Sequence, residues 1–190
     1  MSNINDIQII EIIWAKQCIE KMMSSLNLEE YEKSWIDFLH YIDRAWNKTT
    51  GKYSSLGFNV KIIENVLILR NTDPLLQYLK QARNCDEHTV NSVVKKIPGH
   101  TTIKAGPQGL IINRGVFNGN GETENLKHEG YLDIYFQPDQ LVICDVINRG
   151  ILYKAPKNHL DEIIKTQVPH EIAQIGFDFY SGVFTKLQLK

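Results

Sequence analysis

Cysteine is scarce in this sequence, and the three present, Cys18, Cys85 and Cys144, are far apart with no C-x-x-C pair. That spacing excludes a disulfide framework and a thiolate zinc site, so three reduced thiols are expected. Long apolar runs are also missing, because charged residues break every hydrophobic stretch before it could span a bilayer. Nor does a basic region precede the first apolar stretch, as a secretory signal would require. A cytoplasmic location with no membrane partner is therefore expected. Charge of one sign is lacking as well: the formal net charge is −1, with twelve basic and twelve acidic residues over 1–97 and nine against ten over 98–190. A protein that grips nucleic acid along an extended tract carries a marked positive excess, so any RNA contact here must be local or built by oligomerisation. Internal repeats and low-complexity tracts are absent too.

What remains is an ordinary globular composition, 43% hydrophobic and 23% charged, in a chain of 190 residues. That length suffices for one substantial core or two small units without covalent staples. Ile12, Ala15, Ile19, Met22 and Leu26 recur at helical spacing and predict a first helix over residues 5–26, its apolar stripe widened by Ile9, Ile10, Ile13 and Trp14. A second helix is predicted from Asn27, whose side chain can cap a first turn containing Glu29 and Glu30. Its apolar face carries Tyr31, Trp35, Phe38, Leu39, Ile42 and Trp46, and Gly51 is read as its end. Phe58 to Leu69 is β-branched enough to pass for a strand, but its setting between helices favours a third helix. Asp73-Pro74 marks the start of a fourth, a capping oxygen followed by proline at the first helical position. Leu75, Leu79 and Ala82, then Val90, Val93 and Val94, carry that pattern on to a stop at Pro98-Gly99.

Beyond Pro98 the texture changes. Six glycines between Gly106 and Gly130 punctuate runs rich in β-branched and aromatic residues: Leu110 to Phe117, Tyr131 to Phe136 and Leu141 to Ile147. Turns are expected at Gly119-Asn120-Gly121 and Pro138-Asp139, and a tight hairpin at Asn148-Arg149-Gly150 leading into Ile151 to Tyr153. Two closing helices are expected, one over Asn158 to Thr166 and one from Pro169 with Ile172, Ile175, Phe179, Val183 and Leu187 on one face. The reading is thus α+β: an antiparallel helical bundle over 1–97, then a β-rich region over 98–190 holding a small antiparallel sheet and terminal helices.

Within the fourth predicted helix lies Arg83-Asn84-Cys85-Asp86-Glu87-His88. Arginine, then asparagine, then histidine five positions after the arginine, late in a small all-helical region, resembles the R-N-x-x-x-H signature of the HEPN superfamily. The likeness covers the first half of the chain. It implies a domain that dimerises so that two motifs line one cleft and, in active members, cuts RNA without a metal or other cofactor. Carried over, His88 is the general acid or base on the ribose hydroxyl or leaving oxygen. Arg83 stabilises charge on the phosphorane-like transition state, and Asn84, four residues before His88, orients the imidazole or the substrate. Imidazole titrates near neutrality and guanidinium matches phosphate bidentately, so the residue types suit the task. The resemblance further implies a toxin or defence effector with RNA as substrate and a cognate antitoxin as partner.

Blander readings stand beside it. Arg83 and Glu87 are spaced as an i, i+4 surface ion pair, and His88 shares a polar stripe with Gln81, Asn84, Asn91 and Lys95, which makes it a solvated histidine. Asp86 and Glu87 set negative charge beside it, which repels phosphate. The alternative is a non-enzymatic HEPN-like dimerisation module that binds RNA, a nucleotide or a partner protein. An unrelated helical scaffold is the third. His159-x-x-Glu162 and His128-Glu129 lack the partner ligands of a metal site. Gly106-Pro107-Gln108-Gly109 lacks the lysine of a phosphate loop, and Ser181-Gly182 sits in a helical pattern rather than a nucleophile elbow.

Overall fold

The computed structural model describes residues 10–55, 60–88, 92–118 and 122–188. They form an α+β fold: packed helices, then small two-stranded sheets, then one closing helix. The chain divides into two compact units, Met1–Lys95 with Leu141–Lys190, and Lys96–Gln140. This division differs from a cut at residue 97, because residues 141–190 pack with the helices.

In the first unit α1 (Ile10–Ser24) packs along α2 (Leu28–Ser55), and α3 (Val60–Thr72) and α4 (Pro74–His88) complete the helical layer. Asn27 caps α2 as its position predicts, its Oδ1 accepting from Glu30 N–H at 2.8 Å; such caps contribute about 1 kcal/mol. The core joins Ala15, Ile19 and Met22 of α1 to Trp35, Phe38, Leu39 and Trp46 of α2 and Leu75, Leu79 and Ala82 of α4, all buried. The stretch expected to be the third helix is α3, its residues 58 and 59 lying outside the described residues.

Two helix ends differ from expectation. Gly51 does not stop α2, which continues to Ser55. One glycine in a helix costs only about 1 kcal/mol, and buried Tyr53, one turn from buried Thr49, anchors the last turns. Conversely α4 stops at His88 rather than at Pro98. Ser92 Oγ accepts from Val94 N–H at 3.2 Å, a local bond that competes with helix, and β1 (Val94–Ile97) follows, paired with β6 (Gln140–Ile143).

After β6 the chain forms β7 (Val146–Asn148) and β8 (Ile151–Tyr153), antiparallel with Asn148 opposite Ile151. Arg149 and Gly150 have φ of 51° and 77°, the two left-handed residues that a type I′ hairpin needs. The helix expected over Asn158 to Thr166 is absent. In its place β9 (Asn158–His159) and β10 (Glu162–Ile163) form a minimal hairpin through Leu160 and Asp161, φ 45° and 69°. Tertiary capture explains this. Asp73 accepts from Leu160 N–H at 2.8 Å and meets His159 Nδ1 at 2.9 Å. α5 (Pro169–Gln188) then buries Ile172, Tyr180, Val183 and Leu187 against α1, α2 and α4.

The second unit is a nested pair of ribbons. β2 (His100–Ala105) pairs antiparallel with β5 (Leu132–Gln137), and between them in sequence β3 (Ile111–Phe117) pairs with β4 (Thr123–Glu129). Thus the small sheet expected here is a set of separate two-stranded pairs. Gly130 has φ 91°, and a Cβ there would lie 2.5 Å from Gly109 O, so only glycine fits this crossing. Pro138-Asp139 turns the chain between β5 and β6, with Asp139 Oδ1 accepting from Gly99 N–H at 2.7 Å. Gly119-Asn120-Gly121 lies outside the described residues.

Candidate functional site

The geometry of α4 begins with its cap. Asp73 Oδ1 accepts from Leu76 N–H at 3.0 Å, which fixes the first turn and hence the phase of every later residue. Leu75, Leu79, Ala82 and Cys85 then face the core, and Arg83, Asn84 and Glu87 fall on the other side. Arg83 Nη1 lies 2.5 Å from Glu87 Oε2, the i, i+4 pair read from the sequence, and donates to Asn84 Oδ1 at 3.2 Å. Its buried Nε has no hydrogen-bond partner among the described residues but sits 3.7 Å from Asp43 Oδ2, an ion-pair distance. The Arg83 side chain is 25% exposed and that of His88 58%, with His88 Nε2 at 3.5 Å from Glu87 Oε2. Arg83, Asn84 and Glu87 thus form one linked set, and His88 joins it through Glu87.

A cleft of about 500 Å³ opens between α2 and α4, lined by His40, Asp43, Arg44, Asn47 and Lys48 of α2 and by Arg83 of α4. Its floor is a buried polar network. Asp43 accepts from Arg70 Nη2 at 2.5 Å and from Asn47 Nδ2 at 3.0 Å. Arg70 is 5% exposed, donates to Tyr180 OH at 2.7 Å, and lies 5.3 Å and 5.7 Å from the ring centroids of Trp46 and Tyr180. Cation–π contact and two charge-assisted bonds together offset its desolvation. At the rim, Arg44 and Lys48 both pair with buried Glu11 of α1. Burial pushes the Glu11 carboxyl up, but its bond to Lys48, its own backbone and the charges of Lys48 and Arg44 outweigh that and hold it below the usual range. His40 Nε2 of α2 meets Asp86 Oδ2 of α4 at 3.0 Å.

Sequence reading missed this half of the site. His40, Arg44 and Lys48 recur every four residues, a basic stripe on one face of α2 that could have been seen. Asp43 to Arg70 and His40 to Asp86 are long-range pairs with no local signal.

The other candidates have structural explanations. His159 is taken up by Asp73, and Glu162 is exposed. His128 Nδ1 meets Gly130 O at 3.2 Å, and Glu129 Oε1 accepts from Asn113 Nδ2 at 3.4 Å. Among the described residues no group of three or more His, Cys, Asp or Glu side chains is placed to hold a metal ion, and no helix is long and apolar enough to cross a membrane. Cys18, Cys85 and Cys144 form no disulfide with one another. Burial pushes Cys18 up to about 11 and raises Cys144, so neither is a thiolate near neutrality. No protein-family model, curated protein or solved structure matches this chain.

Proposed function

We propose that the chain is a HEPN-type, metal-independent endoribonuclease acting as a homodimer, in the manner of a toxin or defence effector restrained by a cognate antitoxin. One observation carries the reading: Arg83, the first residue of the motif, forms the α4 wall of a cleft whose α2 wall presents Arg44, Lys48 and His40. A guanidinium beside two further cations suits a phosphodiester. In this reading His88 moves a proton at the ribose hydroxyl or leaving oxygen, Arg83 holds the charge that develops on phosphorus-bound oxygens, and Asn84 steadies Arg83. Symmetry doubles the positive field that one near-neutral subunit lacks.

A second reading, a non-enzymatic HEPN-like module that dimerises and binds RNA, a nucleotide or a partner protein, is favoured by the anions around Arg83. Asp43 and Glu87 both offset its charge.

Light scattering at micromolar concentration is expected to give the mass of a dimer. With labelled RNA in EDTA, wild type is expected to cleave, and His88→Ala to lose about 10²-fold or more in rate with unchanged far-UV circular dichroism, since His88 is exposed. A monomer removes the two-motif site. A wild type that binds RNA or another partner without cutting selects the second reading.

A further inference from the structure

We propose that His40, its ring held by Asp86, is a second proton-transfer residue of the α2–α4 cleft, acting on an RNA phosphodiester seated against Arg83, Arg44 and Lys48. This rests on the endoribonuclease reading above and adds a residue that the R-N-x-x-x-H motif does not contain.

The chemistry asks for two such groups. When the ribose O2′ attacks the adjacent phosphorus, the O2′–P bond forms as the P–O5′ bond breaks. O2′ must give up its proton, and O5′, leaving with the bonding electron pair, must gain one. Each motif supplies one histidine, and His88 lies at the exposed end of α4, outside the residues that line the cleft of its own subunit. His40 lines it, one helical turn from Arg44 and two from Lys48. Asp43, the carboxylate in the lining, is already committed to Arg70, Asn47 and Arg83, which makes it a poor base.

Asp86 gives His40 the geometry of an oriented base. A carboxylate at 3.0 Å from Nε2 holds the proton of the neutral ring on that nitrogen and leaves Nδ1 as the acceptor. Nδ1 then takes the O2′ proton, and a His88 brought to the site by the two-motif dimer proposed above gives its proton to O5′. The cations seat the phosphate. Arg44 and Lys48 each spend part of their donor capacity on Glu11, but their side chains are 62% and 52% exposed, so further N–H groups remain for phosphate oxygens. A cleft of about 500 Å³ is of the size that holds a nucleotide.

The test compares the full-length wild type with His40→Gln, Asp86→Asn, His88→Ala and the pair Arg44→Gln/Lys48→Gln. Each is given a mixed-sequence RNA for cleavage in EDTA and, for affinity by fluorescence anisotropy, the same sequence with 2′-O-methyl riboses, which cannot react. His40→Gln is expected to lower the cleavage rate by about 10²-fold or more while its affinity for the methylated RNA stays within about threefold. Asp86→Asn is expected to lower kcat with KM unchanged, since the ring is still present but no longer held in one tautomer. The Arg44/Lys48 pair is expected to weaken binding of the methylated RNA by about tenfold or more. Wild-type cleavage by His40→Gln, with His88→Ala inactive, overturns this inference and leaves the endoribonuclease reading intact. A His40→Gln loss that appears equally in affinity marks a binding role and also overturns it. A wild type that cleaves none of the RNA overturns both.

Discussion

Asp43→Ala is expected to destabilise the protein by about 3–5 kcal/mol, the cost of leaving a buried charge without its partner. The charge is that of Arg70, 5% exposed, whose Nη2 has Asp43 as its acceptor at 2.5 Å while Nη1 is used by Tyr180. Removing the carboxylate leaves the Nη2 half of the guanidinium fork without its acceptor, beside the rings of Trp46 and Tyr180. Asn47 and Arg83 lose a partner in the same step. The double replacement Asp43→Leu with Arg70→Met is expected to recover most of the loss, because neither member of the buried pair then carries a charge. Urea denaturation measures both, read as the shift in midpoint at constant slope. A loss below about 1 kcal/mol for Asp43→Ala, the level of an exposed pair, would mean that Arg70 is solvated in the folded protein and that this network does not order the cleft floor.

Asp73→Ala is expected to cost about 2–4 kcal/mol, since charge-assisted hydrogen bonds contribute about 1.5–3 kcal/mol each and do not add fully. One carboxylate caps α4 through Leu76 N–H and holds the β9–β10 turn through Leu160 N–H and His159 Nδ1. Leu160 is a bulky residue at φ 45°, a conformation that persists only when its surroundings over-determine it. The loss should therefore be local as well as global. Hydrogen exchange is expected to speed up most at Leu160 and its neighbours and less in α5. Asp73→Asn keeps one acceptor oxygen for Leu76 or Leu160 and should lose about half as much. Equal protection of Leu160 in wild type and Asp73→Ala would show that the turn is held by something else.

These two residues also mark how far the sequence could be read. Asp73 was legible as a cap because Asp-Pro is a local signal, and Asn27 and the Arg149-Gly150 hairpin were legible for the same reason: each rests on conformational preferences spanning a few residues. The second role of Asp73 was not legible, since it joins residues 86 and 87 positions apart, and so the segment after Asn158 looked helical when it is a captured turn. Periodicity was equally blind to the end of α4. Val93 and Val94 continue a helical stripe on paper, yet Cys144 N–H donates to Val93 O at 3.3 Å, which holds that stretch away from helix. Within the site, Arg83, Asn84 and Glu87 could be linked by helical spacing alone. His40 with Asp86, and Asp43 with Arg70, meet only once α2, α3 and α4 have packed.

The measurement that bears most directly on the proposed chemistry is the identity of the new ends on cleaved RNA. End-labelled RNA is incubated in EDTA with wild type, Arg83→Lys and His88→Ala, beside the same sequence as DNA. If side chains move the protons and O2′ is the nucleophile, wild type leaves 2′,3′-cyclic phosphate ends opposite 5′-hydroxyls and the DNA stays intact. Arg83→Lys loses most of the rate because the planar fork is gone, and His88→Ala loses it because a proton donor or acceptor is gone. Cleavage of the DNA, 3′-hydroxyl ends, or wild-type rates in His88→Ala would contradict that account.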